Sequence, residues 1–505
     1  MSPGIAAATR AWRASSSLAV LGSVLLAEPA RAHGFGQRYD LPIPLSFYLV
    51  GAGLTVAVSC VVLALWGRTV PTPERAWKID LLRCPLGRAL ASGPVVSALR
   101  LLVAALFWLV IVAGLCGAQS PFKNIAPIMI WAVWWVGMPY VSALIGDVWV
   151  IVNPLDTTFR FAATLCSIGR PGNSPRPRLR LPKRLGVWPA VAFLLAFLWM
   201  ELAWEGSDHP ARIAAAVLGY STLTWIGMYL FGRSEWLAQG EVFARIFGIL
   251  ARFAPMEIRL VEGRIVEWRL RPYAVGLLAR EPVHASEIAL VLLMLASVSL
   301  DGFMETPAWA AMADAVVSGA GDRLQEGEAG VAMRSLGLLA APLLFFAVYS
   351  IFCGLVAWFG AGGRPERGRA HGSPARIRGL FVLTLVPIAI AYQVAHYLSF
   401  LAMAGQYLIP LASDPLGLGW NLFGTRNYFI RISVVDARLV WYVSVGAIVA
   451  GHVAALFLGH QLALREFDDR RAAIRSQWPM LALMVGYTIL SLWIIAQPIV
   501  SSRFG

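Results

Sequence analysis

Residues 379 to 404 read GLFVLTLVPIAIAYQVAHYLSFLAMA, a run of 26 positions without one Asp, Glu, Lys or Arg. At about 1.5 Å of rise per residue the run reaches about 39 Å as a helix, more than the roughly 30 Å hydrocarbon core of a bilayer. Its apolar residues do not alternate, which argues against a barrel strand, and backbone groups in lipid are satisfied within a single segment only by a helix.

Nine further blocks of this kind follow residue 33, at 45–66, 101–118, 125–152, 187–205, 211–232, 287–304, 335–360, 437–463 and 478–500. The sequence therefore predicts an all-α polytopic integral membrane protein of about ten transmembrane helices. Composition agrees: of 505 residues 58% are hydrophobic and 14% charged, and the mean hydropathy is +0.67, which excludes a set of soluble domains. Five cysteines in so long a chain exclude a disulfide scaffold. Cys60, Cys116 and Cys353 fall inside blocks and Cys84 and Cys166 between them, without any CxxC spacing, and they read as small apolar fillers.

Ahead of the first block, Arg10 and Arg13 precede an apolar run from Leu18 to Leu26 and then Ala30-Arg31-Ala32. This pattern predicts a cleavable signal peptide over 1–32, leaving 33–505 as one transmembrane domain; an uncleaved anchor helix is the other reading. Of 42 Lys and Arg, 30 fall in alternate loops, including Arg68 to Arg100, Arg160 to Arg184, Arg233 to Arg280, Arg364 to Arg378 and Arg465 to Arg475. Basic loops stay in the cytoplasm, so the expected site is the cytoplasmic (inner) membrane with both mature termini outside. The formal net charge of +14 thus reports orientation and an anionic inner leaflet, and nucleic acid is not an expected partner. The largest cytoplasmic piece, 233–286, is expected to hold an interfacial amphipathic helix (Ser234 to Phe253) and a short hairpin turning at Glu262-Gly263. The Pro- and Arg-rich linker Arg170 to Arg184 reads as extended.

Neither a Walker loop nor a GxSxG elbow or HExxH pair occurs, so the informative residues are ionisable groups in the blocks, which are costly to bury unpaired. Glu201 and Glu205, and likewise Asp301 and Glu305, are four apart and would share a helical face. Both pairs lie near the outer boundary, so together they are candidates for one or two divalent metal ions of unknown identity; wet helix ends are the plainer reading. His396 lies about 12 Å below the same surface, as a candidate ligand or as part of a hydrogen-bond network with Tyr392 or Gln393. His209, in the turn after Glu205, would complete a metal shell, or is an ordinary turn residue. His33, if it starts the mature chain, offers an α-amine and a ring together. His452 lies deeper, and His460 is expected at the cytoplasmic boundary. His284 and His371 sit in loops without evident partners. Asp147, followed by Asn153-Pro154, reads mainly as the polar end of the third span.

Several stretches carry a resemblance: His33-Gly-Phe-Gly-Gln-Arg-Tyr-Asp-Leu-Pro-Ile-Pro-Leu, Asp147-Val-Trp with Asn153-Pro154, Phe231-Gly-Arg-Ser-Glu-Trp with Arg252-Phe-Ala-Pro255, Ser299-Leu-Asp301-Gly302-Phe and Ala395-His396-Tyr-Leu-Ser-Phe. Over the mature chain the sequence resembles bacterial membrane proteins named fenitrothion hydrolase. That name implies hydrolysis of an organophosphorus aryl ester, and no catalytic residue is carried over. Joined with the ionisable groups, it gives an expectation of metal-assisted hydrolysis of a small apolar substrate in an outward-facing cleft. There Asp301, His396 and Glu201 would be catalytic, and Glu201, Glu205, Asp301, Glu305, His396, His209 and His33 the metal candidates. The alternative is a transporter or permease for a metal ion or small solute, in which the same groups line a pathway. A third reading is an assembly factor with a membrane-protein partner subunit.

Overall fold

A computed structural model describes residues 39–67, 75–166, 178–261, 263–278, 281–320, 326–362, 372–431, 434–467 and 469–501. The expected signal segment, His33 and His371 lie outside them. The described residues are 76% helix and 4% strand. Helices α1 (Leu45–Trp66), α2 (Gly93–Cys116) and α3 (Ile125–Leu144) come first, α3 being wound as a π-helix over Ile128–Gly137. Next come α4 (Pro154–Cys166), α5 (Trp188–Leu202), α6 (Pro210–Phe231) and the short α7 (Arg233–Gln239) and α8 (Val242–Ala251). The series closes with α9 (Ala285–Met304), α10 (Glu326–Gly360), α11 (Pro374–Ser413), α12 (Ala437–Glu466) and α13 (Arg470–Ile499).

Among the described residues nine of these helices, α1–α3, α6 and α9–α13, are long and apolar enough to cross a membrane. The uncharged run 379–404 lies inside α11. It forms the middle of the bundle with α9: 78% and 67% of their apolar windows are buried, against 17% to 22% in α1, α2 and α10, whose faces are left for lipid.

A small three-stranded sheet marks one end of the bundle. Strand β1 (Ile79–Asp80) pairs with β3 (Arg264–Leu270), which forms an antiparallel hairpin with β2 (Met256–Val261). Gly263, with φ +82°, makes the turn in the left-handed region that glycine tolerates. Around this hairpin end Lys78 pairs with Glu257 (2.8 Å), Arg100 donates to the carbonyl of Gly263 (2.9 Å) and Arg233 pairs with Asp156 (2.7 Å). Arg376 there pairs with the buried Glu466 (2.9 Å). At the far end Ile125 N donates to the Pro415 carbonyl (3.0 Å), Trp131 to Ser207 (2.8 Å) and Ala211 N to Gln119 (3.0 Å). The loops predicted to share a face thus meet one another.

The two ends of the described chain also meet there, since Tyr39–Asp40 pairs in parallel with Val500–Ser501. Helix α5, with 15 residues, reaches about 22 Å, short of a full bilayer core.

Three local expectations are corrected. The third block does not run to residue 152: α3 stops at Leu144, and Gly146 bridges to Met256, where a Cβ would approach the Met256 Cβ to 2.9 Å. The expected interfacial helix is two helices, and α8 is packed inside the core with Val242, Phe243, Ile246, Phe247, Ile249 and Leu250 all buried. His460, expected at the interface, does lie at the level of Gly67, the C-cap of α1, but it is buried from water where α12 packs on α1 and α13.

Candidate functional site

Asp301 sits one turn from the end of α9, and α11 lies against it. Its Oδ2 accepts the Tyr397 hydroxyl at 2.7 Å and lies 2.9 Å from His396 Nε2. Consecutive residues on a helix diverge by about 100°, so His396 and Tyr397 hold the carboxylate between them. Gly302 permits the approach, because a Cβ there would stand 2.8 Å from Ile494 Cγ2 and 3.0 Å from the Tyr392 hydroxyl. Glu201, near the end of α5, accepts the indole N–H of Trp135 from α3, and it has Asp301 as a charged neighbour. Four helices thus bring two carboxylates, an imidazole, a phenol and an indole together near the far end. Such a cluster is tolerable in an apolar bundle because donors and acceptors match.

Among the described residues the wider metal set does not assemble, and His33 lies outside them. Glu201 and Glu205 share no helical face, because α5 stops at Leu202 and Glu205 is exposed beside Gly327. Glu305 is likewise past the last residue of α9, as its C-cap, and His209 is the exposed N-cap of α6. Among the described residues no three His, Cys, Asp or Glu side chains lie close enough to hold one ion. Asp301 Oδ2 and His396 Nε2, atoms a cation would need, are engaged with each other.

Polar groups continue through the bundle from this cluster. Tyr392, fully buried, has Asp301 and Tyr487 as titratable neighbours. The Tyr487 hydroxyl shares a 2.6 Å hydrogen bond with Ser299, and its ring lies 5.7 Å from that of His452. His452 Nδ1 meets the Ile448 carbonyl at 2.8 Å, while its buried Nε2 has no hydrogen-bond partner among the described residues. About 12 Å further along α12, His460 Nδ1 lies 2.9 Å from Gln477 Oε1, beside a small cavity that Thr384 and Ser476 also line.

A second buried carboxylate went unread in the sequence, where Glu241 looks like the wet face of an amphipathic helix. It is fully buried. It caps α8 by accepting Phe243 N (3.0 Å) and Ala244 N (2.8 Å), and it accepts Tyr220 Oη (2.6 Å), Trp149 Nε1 (3.2 Å) and Asn153 Nδ2 (3.2 Å). Burial raises its pKa, and these donors, which favour the ionised form, oppose the rise. Asp147 accepts Val150 N (3.1 Å) in the break after α3, and burial pushes its carboxyl up to about 6, with the charge of Glu241 adding to the rise. Asn153 accepts Leu155 N (2.9 Å), so the Asp147 to Pro154 stretch satisfies freed backbone groups. His284, without an evident partner in the sequence, caps α9 through Ser286 N.

Trp135 and Tyr397 were likewise unread as site residues. Tyr397 is legible only as the neighbour of His396, and Trp135 only as one of several indoles in α3. Compared with family models, curated proteins and solved structures, the chain matches none.

Proposed function

We propose that the chain is a proton-coupled membrane transporter or permease for a small solute or metal ion, with Asp301, His396 and Tyr397 as its protonation site and Glu201 beside them. One observation carries this reading: the buried polar series Asp301, Tyr392, Tyr487 and His452 descends from the far end to the middle of the bundle. A surface enzyme has no use for ionisable groups at that depth, whereas groups that relay protons belong there. The basic loops gather at the hairpin end, which supports orienting that end to the cytoplasm and the paired Tyr39 and Val500 ends outward across the inner membrane. The test is proteoliposomes with a pH-sensitive dye trapped inside. Candidate solutes that move protons with the native chain, and not with Asp301→Asn or His396→Ala, support the proposal. Solute-independent dye traces identical in all three would refute it.

Hydrolysis of an apolar ester is the second reading. It is favoured by the imidazole bonded to a carboxylate, an arrangement that orients a general base. A metal for it would need donors beyond those gathered among the described residues, such as His33, which lies outside them. No nitrophenol release from an aryl phosphotriester by the purified chain would dismiss this alternative, and release unchanged by chelator and by Asp301→Ala would take it away from this cluster.

A further inference from the structure

Three guanidinium groups and one carboxylate meet where α2 and α6 reach the hairpin end. Arg233, two residues past the end of the long apolar α6, donates through Nη1 to both oxygens of Asp156 (2.7 and 2.9 Å) and so takes the acid for itself. Arg100, on the long apolar α2, donates to two neutral acceptors, the carbonyls of Ile151 (2.8 Å) and Gly263 (2.9 Å). Its charged neighbours among the described residues are Arg160 and Arg233, against Asp156 alone. Arg160, one turn after Asp156 on α4, lies against the same hairpin turn: a Cβ on Gly263 would collide with its Nη1 and stand 2.9 Å from its Nη2. Nη1 is buried without a hydrogen-bond partner, while Nη2 and Nε, also unbonded to described residues, are not enclosed, and the residue as a whole is only partly buried. Two positive charges are thus left without a counter-charge in a partly desolvated place, which favours a bound anion. The surroundings tell which anion: Leu99, Leu101 and Leu102 beside Arg100, and Phe161 and Leu165 beyond Arg160, are all exposed. Arginine in such a setting holds its head at the level of lipid phosphates while its apolar neighbours lie among acyl chains.

We infer that Arg100 and Arg160, with Arg233 beside them, bind the phosphodiester of an anionic membrane phospholipid, whose acyl chains run along the exposed leucines of α2. Guanidinium–phosphate pairs are charge-assisted and often bidentate, and Arg160 has its outer donors open for one. A free phosphate would meet the same guanidinium groups but has no use for the apolar flanks. The site is separate from the Asp301 cluster and does not depend on the transport proposal.

The test is native mass spectrometry of the delipidated full chain in detergent, titrated with phosphatidylglycerol, phosphatidylcholine and inorganic phosphate in turn. The native chain is expected to take up phosphatidylglycerol in preference to phosphatidylcholine, and inorganic phosphate at matched concentration is expected not to displace it. Arg160→Ala removes a guanidinium that bonds no described residue, so its melting point without lipid is expected to stay at the native value or rise. Its affinity for phosphatidylglycerol is expected to fall by about tenfold or more, the worth of one charge-assisted pair. Arg83→Ala, which removes an arginine 88% exposed at the same end, is expected to leave that affinity unchanged. Equal affinity in the native chain and Arg160→Ala would overturn the proposal. An equal loss in Arg83→Ala would mean that only diffuse surface charge is sensed, and displacement by inorganic phosphate that the site takes a free anion; either overturns the lipid assignment. A fall in the lipid-free melting point of Arg160→Ala would give its guanidinium to Glu262, the acid beside the turn that lies outside the described residues, and would overturn the proposal as well.

Discussion

Replacing Glu241 by alanine tests whether the carboxylate organises the hairpin end from within. The change removes the cap of α8, worth about 1 kcal/mol. It also removes the shared acceptor of three buried side-chain donors, those of Tyr220, Trp149 and Asn153. Each stranded buried donor costs about 1 to 3 kcal/mol, so the total is about 4 to 10 kcal/mol, comparable with the whole stability of many proteins. Glu241→Gln keeps the shape and one acceptor oxygen but turns an amide N–H₂ toward donors, so it is expected to fall between native and alanine. The assay is thermal unfolding in detergent followed by near-UV circular dichroism, with monodispersity checked by size exclusion. An alanine variant that melts within about 2 °C of the native chain would refute the reasoning, because a loss of about 4 kcal/mol is expected to lower the melting point of a chain this long by roughly 4 °C.

Four shorter tests follow from other sites. Asp147 has a folded pKa near 6 against an ordinary 3.8, so its contribution to stability is fully present below the ordinary value and is lost as pH rises through 6. Asp147→Asn is therefore expected to flatten the dependence of chemical-denaturation stability on pH between about 4 and 7, by roughly 3 kcal/mol. Arg376→Ala leaves the buried Glu466 without its guanidinium and is expected to cost about 3 to 5 kcal/mol, read as a shifted denaturant midpoint. Gly302→Ala drives a Cβ toward Ile494 and Tyr392, and a loss of about 1 to 3 kcal/mol is expected by the same measurement. Tyr487→Phe removes the bond to Ser299 while keeping the ring; proton movement in proteoliposomes is expected to fall with little change in melting.

The helices were legible because a bilayer fixes the length of an apolar run, and Asp301 and His396 because ionisable groups are conspicuous in such runs. Other features depend on tertiary contact. The end of α3 is hidden by the apolar Val148 to Val152, and only the approach of Met256 to Gly146 shows why the helix stops there. Spacing by four made Glu201 and Glu205 look like a pair, but the helix ends between them. Periodicity registers that Glu241 faces polar company, and it does not distinguish water from Tyr220, Trp149 and Asn153. The distance of His460 from the end of α12 gives its level in the bundle, and it does not tell that α1 and α13 close over the ring and exclude water.

The parallel pairing of Tyr39–Asp40 with Val500–Ser501 bears on biogenesis. These strands are separated by almost the whole chain, so the N-terminal one has no partner until the last helix has left the ribosome and entered the membrane. Contacts of such long sequence separation form late. The pair is therefore a seal on completed assembly: a chain that has not yet packed α13 against α1 leaves both strand edges unjoined.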